Sequence, residues 1–355
     1  MKRANHFDVL RLAAAAAVAM LHLIDLTRLP TFERWLGWMP LQFGLPVFFV
    51  LSGYLVSMSW GLRPGWRPYL ERRLRRIVPA YVVVVLVCAV GGVLLSTHGW
   101  QAYFSAPAWW RHLAANLTFL NFLQPGLPGV FADNPVPGAV NGALWTIKVE
   151  LMFYAVVPLF MGAVRRWGAT PVLLAGYVLS ACWWTFFTDW AVQTGRPVGY
   201  EIAKQMPGQL MYFLAGAWTW CERERVARWG WAWGLGGLLA LICLTWLDGP
   251  RTAGADWPDV LVPCCLAAFV SWLAVGVRPQ PLLELRYDLS YGIYLWHFPI
   301  IQALVSLGAF ELAPWPVALL AAVLIAAMAW ASWHLVEAPA LRRTHHTAAA
   351  TPVVS

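Results

Sequence analysis

Arg11 and His22 lie on the same apolar segment, Phe7–Thr27, which would otherwise read as an ordinary hydrophobic helix. At about 100° and 1.5 Å per residue, the spacing returns His22 to within roughly 20° of Arg11 and about 16 Å along the axis. Asp8, one turn before Arg11, is on the same stripe. An ionisable side chain inside a bilayer is costly and faces a protein interior or a wet cavity, so it marks a functional site by default. Histidine gains and loses a proton near neutral pH, which makes His22, roughly 7 Å below the outer end of its segment, the candidate proton shuttle. Asp25 has two readings, a carboxylate that orients the imidazole and a plain interfacial charge.

Three further segments carry chemistry. In Tyr69–Pro79 four arginines, Arg72, Arg73, Arg75 and Arg76, fall within five positions. Their planar multi-donor forks suit a phosphate-rich ligand arriving from the cytoplasm, and equally suit anchoring on anionic lipid. Glu150 lies about 10 Å below the outer end of a segment starting at Ala143. That is close to the depth expected for His22, so a Glu–His pair at one level is possible. Lys148, about 200° around from Glu150, points elsewhere and reaches the outer interface. In the segment from Leu289, Tyr294 and His297 are candidate cavity-lining residues; a structural hydrogen bond is an equal reading for His297. Pro299 bends that helix or frees a carbonyl. His334 and Glu337 suit pairing with the inner arginines.

These residues need a scaffold, and composition states its kind. The chain has 355 residues, 60% hydrophobic and 12% charged, about half the charge of a soluble domain. Hydropathy predicts an all-α bundle of about ten transmembrane helices: Phe7–Thr27, Leu41–Trp60, Pro79–Ser96, Ala143–Ala163, Pro171–Thr188, Pro207–Cys221, Trp229–Leu247, Val260–Val275, Leu289–Leu307 and Pro316–Val336. Basic residues concentrate in alternate links: Lys2 and Arg3, Arg63 to Arg76, Arg165 and Arg166, Arg223 to Arg228, Arg278 and Arg286, and Arg342 and Arg343. That places both termini in the cytoplasm and makes the net charge of +8 an orientation signal. No basic soluble face with exposed aromatics exists for nucleic acid. Lys2, Arg3 and the following alanines resemble a secretory signal, but Asp8, Arg11 and His22 interrupt the apolar run, so a retained helix is expected.

Six cysteines, at 88, 182, 221, 243, 264 and 265, lack metal-ligand spacing and are expected as buried small hydrophobes, with no metal site. The outer stretch Thr97–Gly142 should carry an interfacial helix within Trp109–Leu123, with Trp109 and Trp110 against headgroups. No GxSxG, Walker, HExxH or CxxC pattern is present. No convincing internal repeat appears.

Six stretches in order resemble the acyltransferase 3 family of integral-membrane O-acyltransferases, over nearly the whole chain. They are Asp8-Val9-Leu10-Arg11 followed by His22, Phe43–Tyr54, Arg72–Pro79, Leu144-Trp145-Thr146 leading to Glu150 and Tyr154, Leu289–His297, and Glu337-Ala338-Pro339. The resemblance implies transfer of an acyl group, commonly acetyl, from cytoplasmic acyl-CoA (acetyl-CoA) to a hydroxyl of a sugar or other envelope acceptor. It implies His22 as the essential catalytic residue, with Arg11 and the Arg73/Arg76 pair in support. Some family members append a soluble extracytoplasmic domain. With the chain ending soon after Val336, a bare membrane domain or a separate extracytoplasmic transfer partner is expected.

The resulting expectation is a membrane domain over residues 1–343 and a disordered cytoplasmic tail over 344–355, in a bacterial cytoplasmic (inner) membrane. Arg72, Arg73 and Arg76 would hold the coenzyme A phosphates, the pantetheine arm would follow Asp8 and Arg11, and His22 with Glu150 would act on an exopolysaccharide, lipopolysaccharide or lipid-linked glycan hydroxyl. The competing reading is a transporter or flippase that moves a polyanionic or lipid-linked envelope precursor along the same stripe.

Overall fold

The computed structural model describes residues 6–247, 257–277 and 285–342. Lys2, Arg3, Arg251, Arg278, Arg343 and the expected tail lie outside these residues. Among the described residues the chain is helical throughout, with one isolated antiparallel bridge between Ser96 and Val130. The principal helices are α1 (Phe7–Thr27), α2 (Gly44–Leu62), α3 (Trp66–Gly91), α4 (Pro107–Leu117), α5 (Trp145–Trp167), α6 (Ala169–Thr194), α7 (Met206–Cys221), α8 (Arg223–Leu247), α9 (Trp257–Ser271), α10 (Ser290–Ser306) and α11 (Pro314–Ser332).

Among the described residues, eight helical segments are long and apolar enough to cross a bilayer. The other two expected spans form the helices α7 and α10, of 16 and 17 residues. At 1.5 Å per residue they reach roughly 24–26 Å, short of a hydrocarbon core of about 30 Å. Both are among the most enclosed helices, with Phe213 and Leu214 of α7 and Leu295 and Ile301 of α10 almost inaccessible.

α3 differs from expectation at its start. It begins at Trp66, so the arginine cluster is helical, and Pro79 lies inside the helix. α8 is broken at Gly230, whose φ of 51° and ψ of −128° are non-helical; the apolar part therefore begins where hydropathy predicts. The cysteines also differ: Cys182, Cys243 and Cys264 are exposed and the other three partly enclosed, Cys88 packing against the core around Tyr103 and Trp109.

The chain divides into two compact units. The first comprises Met1–Arg11, Leu45–Leu70 and Val149–Leu285, the second Leu12–Gly44, Glu71–Lys148 and Arg286–Ser355. In the first unit α7 packs against α6 and α9 and meets α2 at two glycines. A Cβ on Gly53 would stand 1.9 Å from the Phe213 carbonyl oxygen, and one on Gly216 would stand 2.0 Å from that of Val50. The helices thus touch backbone to backbone, the close approach that small residues permit in membranes. Gly53→Val is expected to destabilise the fold by about 3 kcal/mol through overpacking against rigid backbone. Thermal unfolding in detergent checks this, and a melting temperature equal to the parent's would refute the close approach.

In the second unit α10 packs along α11. The outer stretch is docked through the end of α3, where the carbonyl of Ala89 accepts from Tyr103 Oη (2.8 Å) and Trp109 Nε1 (2.9 Å). Helix ends leave such carbonyls without an intrahelical partner. Trp109 is therefore a core residue, 9% exposed, and not a headgroup anchor, whereas Trp110 is 62% exposed. His112 on α4 is buried with Nδ1 3.1 Å from the carbonyls of both Gln124 and Gly126, to which it donates. Burial pushes its pKa below the usual histidine range, so the neutral, loop-holding form persists. α4 and a short helical turn at Asn121–Leu123 occupy the stretch where an interfacial helix is expected.

Candidate active site

α1 runs unbroken from Phe7 to Thr27 and carries Asp8, Arg11 and His22. Arg11 Nη2 donates to Asp8 Oδ1 at 2.5 Å, and its Nε lies 3.5 Å from the Phe7 carbonyl. Asp8 and Arg11 thus form an i,i+3 ion pair at the start of the helix, with the aspartate in the first turn where the helix dipole favours it.

His22, in the second unit, is half-buried and paired with His297 of α10. His22 Nδ1 lies 2.9 Å from His297 Nε2, and the rings stack at 5.0 Å with 25° between planes. The edge of Phe298 closes another side at 5.2 Å. His297 is fully buried, and its Nδ1 lies 3.2 Å from the carbonyl of Ile293. A carbonyl only accepts, so His297 carries its proton on Nδ1 and offers a lone pair at Nε2. That lone pair accepts from His22 Nδ1–H, which leaves the His22 lone pair on Nε2. The pair therefore selects the tautomer in which His22 Nε2 is the base or nucleophile.

Asp25 does not occupy this orienting position. It is exposed and lines a surface hollow beside Arg28 and Glu33. His297, 275 positions away in sequence, takes the role considered for Asp25.

α10 is held by bonds whose partners come from the other motif stretches. Pro299 has no N–H, so the Leu295 carbonyl one turn earlier lacks its helical donor. Asn141 Nδ2 supplies one at 2.9 Å. Tyr294 Oη meets Thr146 Oγ1 at 2.6 Å and the Ala143 carbonyl at 3.3 Å, which fixes this side chain as a strut edge-on to His297. Tyr291 Oη donates to the Ile77 carbonyl at 2.9 Å. The sequence analysis names Thr146 only as part of a motif and does not name Asn141; the missing N–H of Pro299 is the one local signal that a donor is needed.

The arginines are less uniform than their spacing suggests. Arg75 donates twice to Glu71, at 2.9 and 2.6 Å. Arg76 is bonded to Asp288, whose other oxygen accepts from the Ser290 backbone N–H (3.3 Å) and Oγ (2.5 Å). Arg76 thus ties α3 to the start of the helix that carries His297. Arg72 and Arg73 are half-buried on α3. Glu337 is buried and accepts from Ser332 Oγ at 2.8 Å, with no ion pair to an arginine among the described residues. His334 Nδ1 bonds the Trp330 carbonyl at 2.9 Å. Glu337 is nonetheless near enough to Arg76 and Asp288 to interact with both electrostatically, whereas His334 is held within its own helical turn.

In the first unit Glu150 accepts from Tyr154 Oη, one turn along α5, and from Ser52 Oγ of α2 at 3.4 Å. The Tyr154 carbonyl in turn accepts from Tyr69 Oη at 3.1 Å. Lys148 stands 4.7 Å over the ring of Phe122 in the outer stretch, consistent with an outward-reaching side chain. No group of three or more His, Cys, Asp or Glu among the described residues has metal-holding geometry.

Two relatives match this chain over nearly their full lengths. It is 28% identical to Nodulation protein 10 of Rhizobium leguminosarum bv. viciae, over 95% of this chain and 93% of the relative. It is 25% identical to the O-acetyl transferase of Shigella phage Sf6, over 97% and 98%. The peptidoglycan O-acetyltransferase OatA of Listeria monocytogenes is 25% identical over 73% of this chain and 44% of its own length. No solved structure matches. The acyltransferase 3 family, described as an acyltransferase domain, matches residues 5–334, a span that contains the histidine pair, Glu150 and the arginine cluster; the chain belongs to that family and is a multi-pass membrane acyltransferase.

Proposed function

We propose that the chain is an O-acetyltransferase that moves acetyl from acetyl-CoA at the cytoplasmic face to a hydroxyl of an envelope carbohydrate. The observation that carries this reading is the His22–His297 pair, which presents an unprotonated Nε2 on a membrane helix. Acyl transfer to an alcohol needs such a base. His22 Nε2 takes the acceptor hydroxyl proton as the acceptor oxygen bonds the acetyl carbon. The carbon–sulfur bond of the donor breaks, and the departing thiolate receives the proton from His22. Alternatively, Nε2 itself accepts the acetyl group first and passes it to the acceptor.

Arg72 and Arg73 are assigned to the donor phosphates by their forked donors. Arg76, committed to Asp288, contributes by holding α10 in place. Arg11 and Glu150 are assigned supporting roles. A carbohydrate acceptor is supported by the names of the relatives, among them a peptidoglycan O-acetyltransferase. The acceptor side, in an inner membrane with both chain ends cytoplasmic, is then extracytoplasmic.

Deletion is expected to remove acetyl esters from an envelope glycan, with export of that glycan intact and esters restored by the parent gene. Mass spectrometry of the glycan reads the result. Loss of export with ester content per glycan unchanged would instead favour the transporter.

A further inference from the structure

The second unit contains a cavity of about 340 Å³ beyond the histidine pair, bordered by Thr27 at the end of α1 and Ser306 at the end of α10. Counting along the helices, it begins roughly 8 Å past His22 and roughly 13 Å past His297. Its wall includes Asn134, which is 8% exposed and held in one orientation. Asn134 Nδ2 donates to the Gln302 carbonyl at 3.0 Å and to Gln302 Oε1 at 2.7 Å. Gln302, fully buried on α10, commits its own Nε2 to the carbonyls of Val136 (2.9 Å) and Ala139 (3.1 Å). The two amides therefore cannot exchange roles, and Asn134 Oδ1 is left as an acceptor with no donor among the described residues.

Asp133 and Glu311 are exposed carboxylates on the same wall, also without hydrogen-bond donors among the described residues. Phe131 and Phe310 add apolar ring surface. Three acceptors converge here beside two aromatic rings, in a concave space of ligand size. An anion would be repelled by the carboxylates, and a hydrocarbon chain would leave the acceptors unsatisfied. A polyhydroxylated ring meets both demands, because its hydroxyls donate and its C–H faces pack on rings.

We propose that this cavity is a subsite for a non-reacting sugar unit of the acceptor glycan, placed so that a neighbouring unit presents its hydroxyl to His22. The assignment rests on the acetyltransferase reading but is tested separately. The probe is a set of oligosaccharides released from the host envelope polysaccharide and de-O-acetylated with mild base. Binding is measured to full-length His22→Ala protein, which leaves the probe intact.

Adding Glu311→Gln, Asn134→Ala or the cavity-filling Ser306→Trp is expected to weaken binding at least tenfold, with melting temperatures reported alongside. Glu311→Gln is isosteric and exposed, so it reads recognition rather than folding. Parent-like affinity in Glu311→Gln and Ser306→Trp, or no binding by the His22→Ala parent, would overturn the subsite. If His22→Ala instead retained acetyl transfer while these variants still lost binding, the proposed mechanism would fall and the subsite would stand.

Discussion

His22→Ala is expected to lower acetyl transfer by roughly 10²–10⁴-fold, the range a positioned acid–base group contributes. The effect should fall on turnover, because the side chain acts on the reacting proton and not on donor phosphates or distal acceptor groups. His22 is half-buried, so its truncation removes little packing, and protein yield and melting temperature should stay near the parent's. Ester content of the glycan in complemented deletion cells reads the loss. Labelled acetyl-CoA divides the two mechanisms, since label remains on His22 only if Nε2 carries the acetyl group. Full acetylation by His22→Ala would remove the residue from the reaction.

The second large effect belongs to His297, which acts through His22 as a positioning residue. His297→Leu deletes the Nε2 lone pair and leaves the Val18 carbonyl, one turn back on α1, as the remaining partner of His22 Nδ1–H. With one acceptor removed, the unreactive tautomer with its proton on Nε2 gains population. Turnover should fall on the order of 10²-fold, within the range for acid–base groups. His297→Gln separates this from packing. Its amide oxygen can reach the place of Nε2 and accept from His22, so it should recover a substantial part of the activity that Leu loses. Equal losses in the two variants would leave His297 a packing role only, and wild-type turnover in His297→Leu would end the tautomer argument.

The arrangement explains why Arg76 and Asp288 matter at a distance from the histidines. α10 is tied at its start to α3 through that ion pair and Tyr291, and near its middle to the stretch before α5 through Tyr294 and Leu295. Each tie removes a freedom from the helix that sets His22's tautomer. Two of the stretches that mark the family, Arg72–Pro79 and the one at Leu144–Thr146, thus serve as struts of one helix.

Residues next to one another in sequence were enough to locate most of the helices. Hydropathy over a window of about 20 residues depends only on contiguous side chains, and α1 has the predicted bounds, Phe7–Thr27. The same local rule identified His22 as costly to bury, and Pro299 as freeing a carbonyl or bending its helix. It counted α7 and α10 as spans although they are shorter and more enclosed than the other eight, because apolar composition is the same for a helix facing lipid and one enclosed by neighbours. It misplaced Trp109 for a similar reason, since a ring suited to headgroups also suits a core when a helix-end carbonyl takes its N–H.

Partner choice was beyond the sequence. Asp25 is three residues from His22 and was weighed as its orienting group, yet the ring bonded to His22 comes from 275 positions away. By spacing Arg76 is one phosphate ligand among three, yet Asp288, 212 positions on, holds it. Helical period states which face a side chain occupies, but only the packing of distant helices states what lies opposite. Residue type and depth marked His22 as reactive; tertiary contact selected the nitrogen that can react.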